Sequence, residues 1–232
     1  YNAPREIIPT QLLNEPAVWK AMLPGMPATA LIRNLGKMSS IGILKQLTSE
    51  SGIVIDKLTN EDYIRKARVH PIAILNAWKI YANGSNGEGA ARGRVMQWEP
   101  NVRIVEALEK AFYISFGNVE PTGKSIMLAL DVSGSMNTRL SNSLVTAREA
   151  AALMAMVTAR VEKNYGIFGF TAKGQNFMPS ASAQRSYWGS QNDGISELAI
   201  TPNMSFQQVV QYISSLGFCA TDCSLPMICA SQ

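Results

Sequence analysis

The sequence predicts two architectures in one chain: an α-helical repeat segment over residues 1–120 and an α/β domain over residues 121–232. Three observations predict it. Prolines and capping residues cut the first half into short helices at close intervals, the pattern of packed helix pairs in a solenoid. After Pro121 the apolar residues stop recurring at helical spacing and form unbroken runs of strand length. Strand, helix, strand and helix then alternate, which argues for a parallel sheet.

The elements follow in order. Asn14 is placed to cap a helix whose first turn holds Glu15 and Pro16, where acid and proline are favoured. Pro27 opens the helix PATALIRNL, and Gly36 is read as its stop. Asn60 precedes EDYIRKARV, whose acids lead and whose bases trail, as the helix dipole prefers. Pro71 starts PIAILNAWKIYA, which ends at NGSNGEG. Pro100 opens a helix in which Ile104, Ala107, Leu108, Ala111 and Phe112 share one face. No strict internal repeat is visible. SIMLALD reads as a strand buried on both faces. NSLVTAREAAALMAMVTARVEK reads as a helix with a stripe of Leu144, Ala147, Ala151, Met154 and Val161. YGIFGF is the second strand, and SFQQVVQYISSL a helix entered through Pro202 and Ser205. The Ser-, Gln- and Gly-rich stretch from Thr171 to Asn203 reads as a long surface excursion.

Composition narrows the class. With 47% hydrophobic and 16% charged residues the chain can bury a core. No segment reaches the roughly eighteen unbroken apolar residues of a membrane helix. Tyr1 is not an initiating Met, and no signal pattern follows it, so this end reads as the cut end of a longer chain. Cys219, Cys223 and Cys229 are odd in number and clustered, a poor disulfide framework that favours a reducing compartment and a cytoplasmic protein. A zinc site would need a fourth ligand, and the one histidine, His70, is remote in sequence.

Two motifs compete in EPTGKSIMLALDVSGSM. Gly123-Lys124-Ser125 looks like the end of a P-loop, but five residues rather than four separate Gly117 from Gly123, and a strand follows where the phosphate-binding helix should begin. The second motif is better placed. Asp131 ends the buried strand, in the region where parallel α/β sheets gather ligands, and Ser133 and Ser135 lie in the loop beyond it. One carboxylate and two hydroxyls are hard oxygen donors suited to Mg²⁺ or Ca²⁺. Alternate spacing lets them converge, with Gly134 relieving crowding.

This Asp-x-Ser-x-Ser pattern resembles the metal-ion-dependent adhesion site (MIDAS) of the von Willebrand factor A fold, a Rossmann-like α/β domain. The resemblance implies that Thr221, in FCATDCSLPM, is a fourth ligand for a divalent cation, Mg²⁺ first; the alternative is that Thr221 caps the helix after it. The fold also supplies an aspartate from a third strand-end loop, which does not appear before Gln232, so the domain reads as truncated at its C-terminus and its metal site as incomplete.

Longer stretches narrow the resemblance. VWKAMLPGMPATALIRNLGKM, RKARVHPIAILNAWKIY, EPTGKSIMLALDVSGSM and TDCSLPM, in that order, look like the Ro ribonucleoprotein, or TROVE-domain, family. The resemblance implies a ring of HEAT-like helical repeats closed within one chain by a von Willebrand factor A-like domain. It further implies binding of small non-coding Y RNAs on the outer surface and of misfolded RNA ends in the central hole, and work with an exoribonuclease in RNA quality control. The stretch after Thr171 is longer than in the shorter members, and early repeats and the end of the A domain are missing.

The residues give their own support for RNA. From Arg33 to Arg94 there are ten Lys or Arg against five Asp or Glu, a local surplus of five where the whole chain carries +4. Local positive charge drives phosphate binding through counterion release. Arg65, Lys66, Arg68 and His70 form the densest cluster, and Arg33 and Lys37 flank Gly36; these six are the candidate RNA contacts. Tyr63, Trp78 and Tyr81 are candidate stacking surfaces. The competing reading is structural: bases near a helix C-terminus serve its dipole, aromatics in helix pairs form core, and His70 enters a helix before Pro71. There is no nucleophile elbow, no nearby histidine and no group of converging carboxylates, so the chain reads as non-catalytic. Beside an RNA-binding scaffold, the sequence admits a second function: a protein-adhesion module whose metal bridges to a partner's carboxylate.

Overall fold

The structure is a computed structural model and describes residues 7–87, 95–141, 143–175, 177, 194–217 and 220–231. Outside these fall Cys219, Arg92 and Arg94, and residues 178–193 of the expected surface excursion. The chain divides into two compact units, one of residues 1–119 with 141–144, the other of residues 120–140 with 145–232.

The first unit is helical: α1 (Pro16–Met22), α2 (Ala28–Ser40), α3 (Ser49–Thr59), α4 (Glu61–Lys66), α5 (Pro71–Ala82) and α6 (Val102–Ser115). α6 packs against α3, α4 and α5, and α2 against α3 and α5. The face of α6 read from the sequence is the buried one, with Ile104, Leu108, Ala111 and Phe112 fully enclosed. Phe112 meets Phe116 edge-on at 5.0 Å and Trp78 at 6.0 Å. Burying one such ring is worth about 1.5–3 kcal/mol. Caps set the boundaries: the side chains of Asn60 and Asn101 accept the amides of Tyr63 and Arg103. Asn101 is itself buried, and its amide nitrogen donates to the carbonyls of Leu44 and Lys45, fixing the α2–α3 loop to the start of α6.

Three sequence readings change here. Asn14 does not cap α1; Glu15 holds that position without a side-chain bond, and the Asn14 Oδ1 accepts from Lys37 Nζ at 2.8 Å. Gly36 does not end α2, which runs four residues further to Ser40. It lies mid-helix because the Trp98 ring packs where its side chain would be: a Cβ would stand 2.7 Å from the indole. α3, capped by Thr48, has no counterpart among the sequence expectations.

The second unit carries a three-stranded sheet in the order β1 (Ile126–Asp131), β2 (Tyr165–Phe170), β3 (Ile195–Glu197). β1 and β2 are parallel, in register from Ile126 opposite Tyr165 to Asp131 opposite Phe170. α7 (Ala147–Val161) joins them, entered through a capping box of Thr146 and Glu149. α7 packs on both strands and on α8 (Phe206–Ser214), which Ser205 caps; α9 (Ser224–Ala230) follows.

Here too the structure corrects the sequence. The sheet is mixed, because β3 runs antiparallel to β2. β3 lies inside the stretch expected to be surface excursion, and Ile195, Leu198 and Ile200 there are buried. β1 is not buried on both faces: among the described strands it is an edge, and of its residues only Leu130 is buried. The stripe assigned to α7 has the wrong phase. Met154 is 46% exposed, while Arg148, Ala152, Ala155 and Ala159 face inward, one position later in the chain.

Candidate metal loop and basic helical surface

β1 delivers Asp131 to its carboxyl end, and a short turn (Gly134–Asn137) follows. Val132 is fully buried, which pins the loop so that the polar residues on either side share one opening. The Asp131 Oδ1 accepts the Ser133 amide at 2.7 Å, closing the loop on itself. The hydroxyls of Ser133 and Ser135 are 2.8 Å apart. The Thr221 hydroxyl, 90 residues further along, donates to the same Asp131 oxygen at 3.4 Å. All four residues named from the sequence therefore meet in one place.

Thr221 does not cap α9; Cys223 stands at that position, and no side-chain cap bond forms. Its loop is held from the end of β2. The buried Thr171 hydroxyl lies 2.6 Å from the Ala220 carbonyl and 3.3 Å from Gln175 Oε1, which also accepts the Ala220 amide. The Asp222 amide donates to the Thr171 carbonyl. Asp222 itself turns away. Its carboxylate accepts the Ser224 hydroxyl at 2.6 Å and the Ser224 amide at 2.9 Å, bonds that hold its pKa below the ordinary carboxylate value.

Sequence reasoning missed Arg148, Thr171 and Gln175. The Arg148 guanidinium, 3% exposed, donates to the Ser133 carbonyl at 3.1 Å and lies close enough to Asp131 to feel its charge. Burial lowers its pKa, and the Asp131 carboxylate opposes that shift. The available signal was an arginine in register with Ala152, Ala155 and Ala159 on one helical face. The donor set suits a hard cation: one carboxylate and three hydroxyls, with no soft ligand among them. It carries a single negative charge, and Arg148 offsets part of it. Among the described residues no group of three or more His, Cys, Asp or Glu converges.

The P-loop-like segment serves another purpose. The amides of Thr122 and Gly123 donate to the Glu162 carboxylate, at 2.7 and 3.3 Å, so the anion they bind belongs to this chain. Those bonds lower the Glu162 pKa, the Thr122 amide most.

In the helical unit, Arg65, Lys66, Arg68 and His70 are all exposed along the end of α4 and the turn into α5. Arg65 pairs with Glu61 at 3.3 Å with both side chains more than half exposed, a contact worth under about 1 kcal/mol. Arg68 holds a left-handed φ of 48°, and the His70 Nδ1 accepts the Ile72 amide, capping α5. Arg33 is exposed and Lys37 half-buried, one turn apart on α2; both line a cavity that Val69, between Arg68 and His70, also lines. Two of the three candidate stacking residues are withdrawn from solvent. Trp78 and Tyr81 are core. Tyr63 donates to the Met26 carbonyl at 2.6 Å beneath the Lys57 ammonium, and burial pushes its hydroxyl up to about 12.

Comparison with known proteins places these features. The family described as the TROVE domain matches residues 2–88, and the one described as the Ro60 vWA domain matches residues 125–232. The RNA-binding protein RO60 of Caenorhabditis elegans is 37% identical over 98% of this chain and 31% of its own length. That of Deinococcus radiodurans is 32% identical over all of this chain and 39% of its own length. The crystal structure of the Deinococcus radiodurans RO (RSR) protein superposes with a TM-score of 0.81 at 31% identity, over all of this chain and 42% of that one. The chain thus spans between three-tenths and two-fifths of the length of these curated relatives.

Proposed function

The chain belongs to the Ro60, or TROVE-domain, family, and from that premise we infer that it is the RNA-contacting part of a ribonucleoprotein with no catalytic role of its own. The observation that carries this is the exposed run Arg65, Lys66, Arg68 and His70, with Trp78 and Tyr81 turned into the core and Tyr63 half-buried. Such a surface grips phosphates rather than bases, which suits folded small RNAs recognised by shape. Y RNAs and misfolded small RNAs are the substrates this reading favours, in the cytoplasm, with an exoribonuclease as the acting partner. The test is a mobility-shift titration with a small structured RNA at several salt concentrations. Reversing Arg65, Lys66 and Arg68 to Glu weakens binding and flattens the slope of log K against log salt by roughly two. Unchanged affinity and slope remove this surface from the RNA site.

The convergence of Asp131, Ser133, Ser135 and Thr221 favours a second activity beside it. These residues would hold Mg²⁺, which supplies a positive charge that one carboxylate leaves largely uncompensated and which can therefore attract an anionic group of a partner. If that partner is a protein carboxylate, the domain acts as an adhesion module. EDTA then abolishes protein capture while RNA binding at the α4 surface persists.

A further inference from the structure

α5 has two apolar faces and commits only one to the core. Ile74, Leu75, Trp78 and Tyr81 are buried. Ala73, Asn76, Ala77 and Ile80 recur at the same helical spacing on the other side, exposed or half-buried. They line a cavity of about 330 Å³ whose other wall is α2, with Ile32, Arg33, Gly36 and Lys37. Trp98 closes it. The missing side chain at Gly36 admits the indole, which lies nearly parallel to the Tyr81 ring (24°, 6.1 Å) and donates to the Tyr81 carbonyl at 3.0 Å. The ring is fixed and half-buried, and its edge contributes to the cavity wall.

The polar groups are few and directed. Asn76 Oδ1 is already taken by the Ser143 hydroxyl at 2.8 Å and the Leu144 amide at 3.3 Å. This fixes the side chain and leaves its NH₂ without a partner among the described residues. Lys37 is steadied at the rim by Asn14, and Arg33 forms no ion pair among the described residues. The volume is at the low end of the roughly 300–1,000 Å³ typical of small-molecule sites, too small for a helix or a strand. A largely apolar slot with one aromatic wall, the side chains of Thr29, Asn76 and Asn86, and two cations at its mouth matches one planar ring carrying acceptors, joined to one phosphate.

We propose that this cavity takes a single nucleotide of a single-stranded RNA, its base between α2 and α5 against Trp98 and its phosphate at Arg33 and Lys37. The inference rests on the RNA-binding reading and adds to it a base-selective pocket apart from the phosphate-gripping run on α4. Thr29 and Asn86 also line the cavity, and the NH₂ of Asn76 favours a base with carbonyl acceptors, so a uracil nucleotide is the first probe.

The experiment is an NMR titration of the whole chain with uridine 5′-monophosphate, following the Trp98 indole N–H, assigned with Trp98→Phe. A saturable shift is expected, lost in Ala77→Leu, which fills the slot from its open side, and weakened severalfold in Arg33→Glu, an exposed site that tolerates any side chain. Reversal of Arg65 and Lys66 alone, which do not line the cavity, leaves the shift intact. No shift, an equal shift in Ala77→Leu, or the same shift with inorganic phosphate overturns the pocket. If the chain still retards structured RNA when the monophosphate fails, only the pocket is lost. If it binds neither, the RNA-binding reading falls with it.

Discussion

Replacing Asp131 tests whether the candidate metal loop is organised in the absence of an ion. The carboxylate accepts the Ser133 amide at 2.7 Å, a charge-assisted bond worth about 1.5–3 kcal/mol. The Thr221 hydroxyl at 3.4 Å adds little at that length. Asp131 is also a negative charge beside the buried Arg148, and removing it takes away a charge that favours the buried guanidinium. Asp131→Ala should therefore destabilise the protein by about 2–3 kcal/mol in EDTA, where no ion takes part. Asp131→Asn keeps a neutral acceptor and should lose about half of that. Urea unfolding followed by circular dichroism reads the difference as a midpoint shift of about 1 M for the alanine variant. Added Mg²⁺ should stabilise the parent by about 1.4 kcal/mol at ten times its dissociation constant and leave both variants unmoved. RNA affinity should not change in either. Equal midpoints for parent and Asp131→Ala in EDTA would refute the claim that this carboxylate holds the loop. Mg²⁺ stabilisation of the alanine variant would refute the claim that it holds the ion.

Other perturbations have equally definite outcomes. Asn101→Ala removes a helix cap together with two bonds to the Leu44 and Lys45 carbonyls, and should cost about 2–3 kcal/mol in the same unfolding assay. Gly36→Ala favours the helix by up to about 1 kcal/mol but forces a methyl into the Trp98 ring, so it should be net destabilising by about 1 kcal/mol and change the tryptophan fluorescence. The Glu162 pKa is lowered on folding from 4.5, so its contribution is complete above that value and is lost as the pH falls through the folded one. Glu162→Gln should accordingly flatten the acid limb of the stability profile below roughly pH 5, measured by urea midpoints at stepped pH.

Where a boundary depends on neighbours in sequence, the chain states it openly. Asn60 and Ser205 each bond an amide three residues ahead, and each was legible as a helix start, whereas α6 was read as opening at Pro100 and its cap is Asn101. Pro71 fixes the first turn of α5 for the same local reason. The meeting of Asp131, Ser133 and Ser135 was legible too, since they lie within five residues and the end of a strand is where an α/β sheet presents ligands. Thr221 needed more. Only the resemblance to a fold could bring residue 221 to residue 131, because a separation of 90 positions carries no local sign of that meeting.

Two of the misreadings share a cause: each concerned which way a residue faces once other elements arrive. Gly36 looks like a helix stop by propensity, but Trp98 needs its bare backbone, and the helix continues past it. Met154 looks like core by hydrophobicity, and Arg148 looks like surface by charge, yet the two exchange places. The exchange has a physical logic. A guanidinium can be buried when carbonyl oxygens and a carboxylate surround it, and the Ser133 carbonyl, the Ile213 carbonyl and Asp131 do so. Once Arg148 is turned inward, helical geometry sends Ala152, Ala155 and Ala159 after it and leaves Met154 outside. The phase of α7 is thus set by the loop its first turn supports, and a hydrophobic count that treats arginine as solvent-facing must choose the wrong stripe.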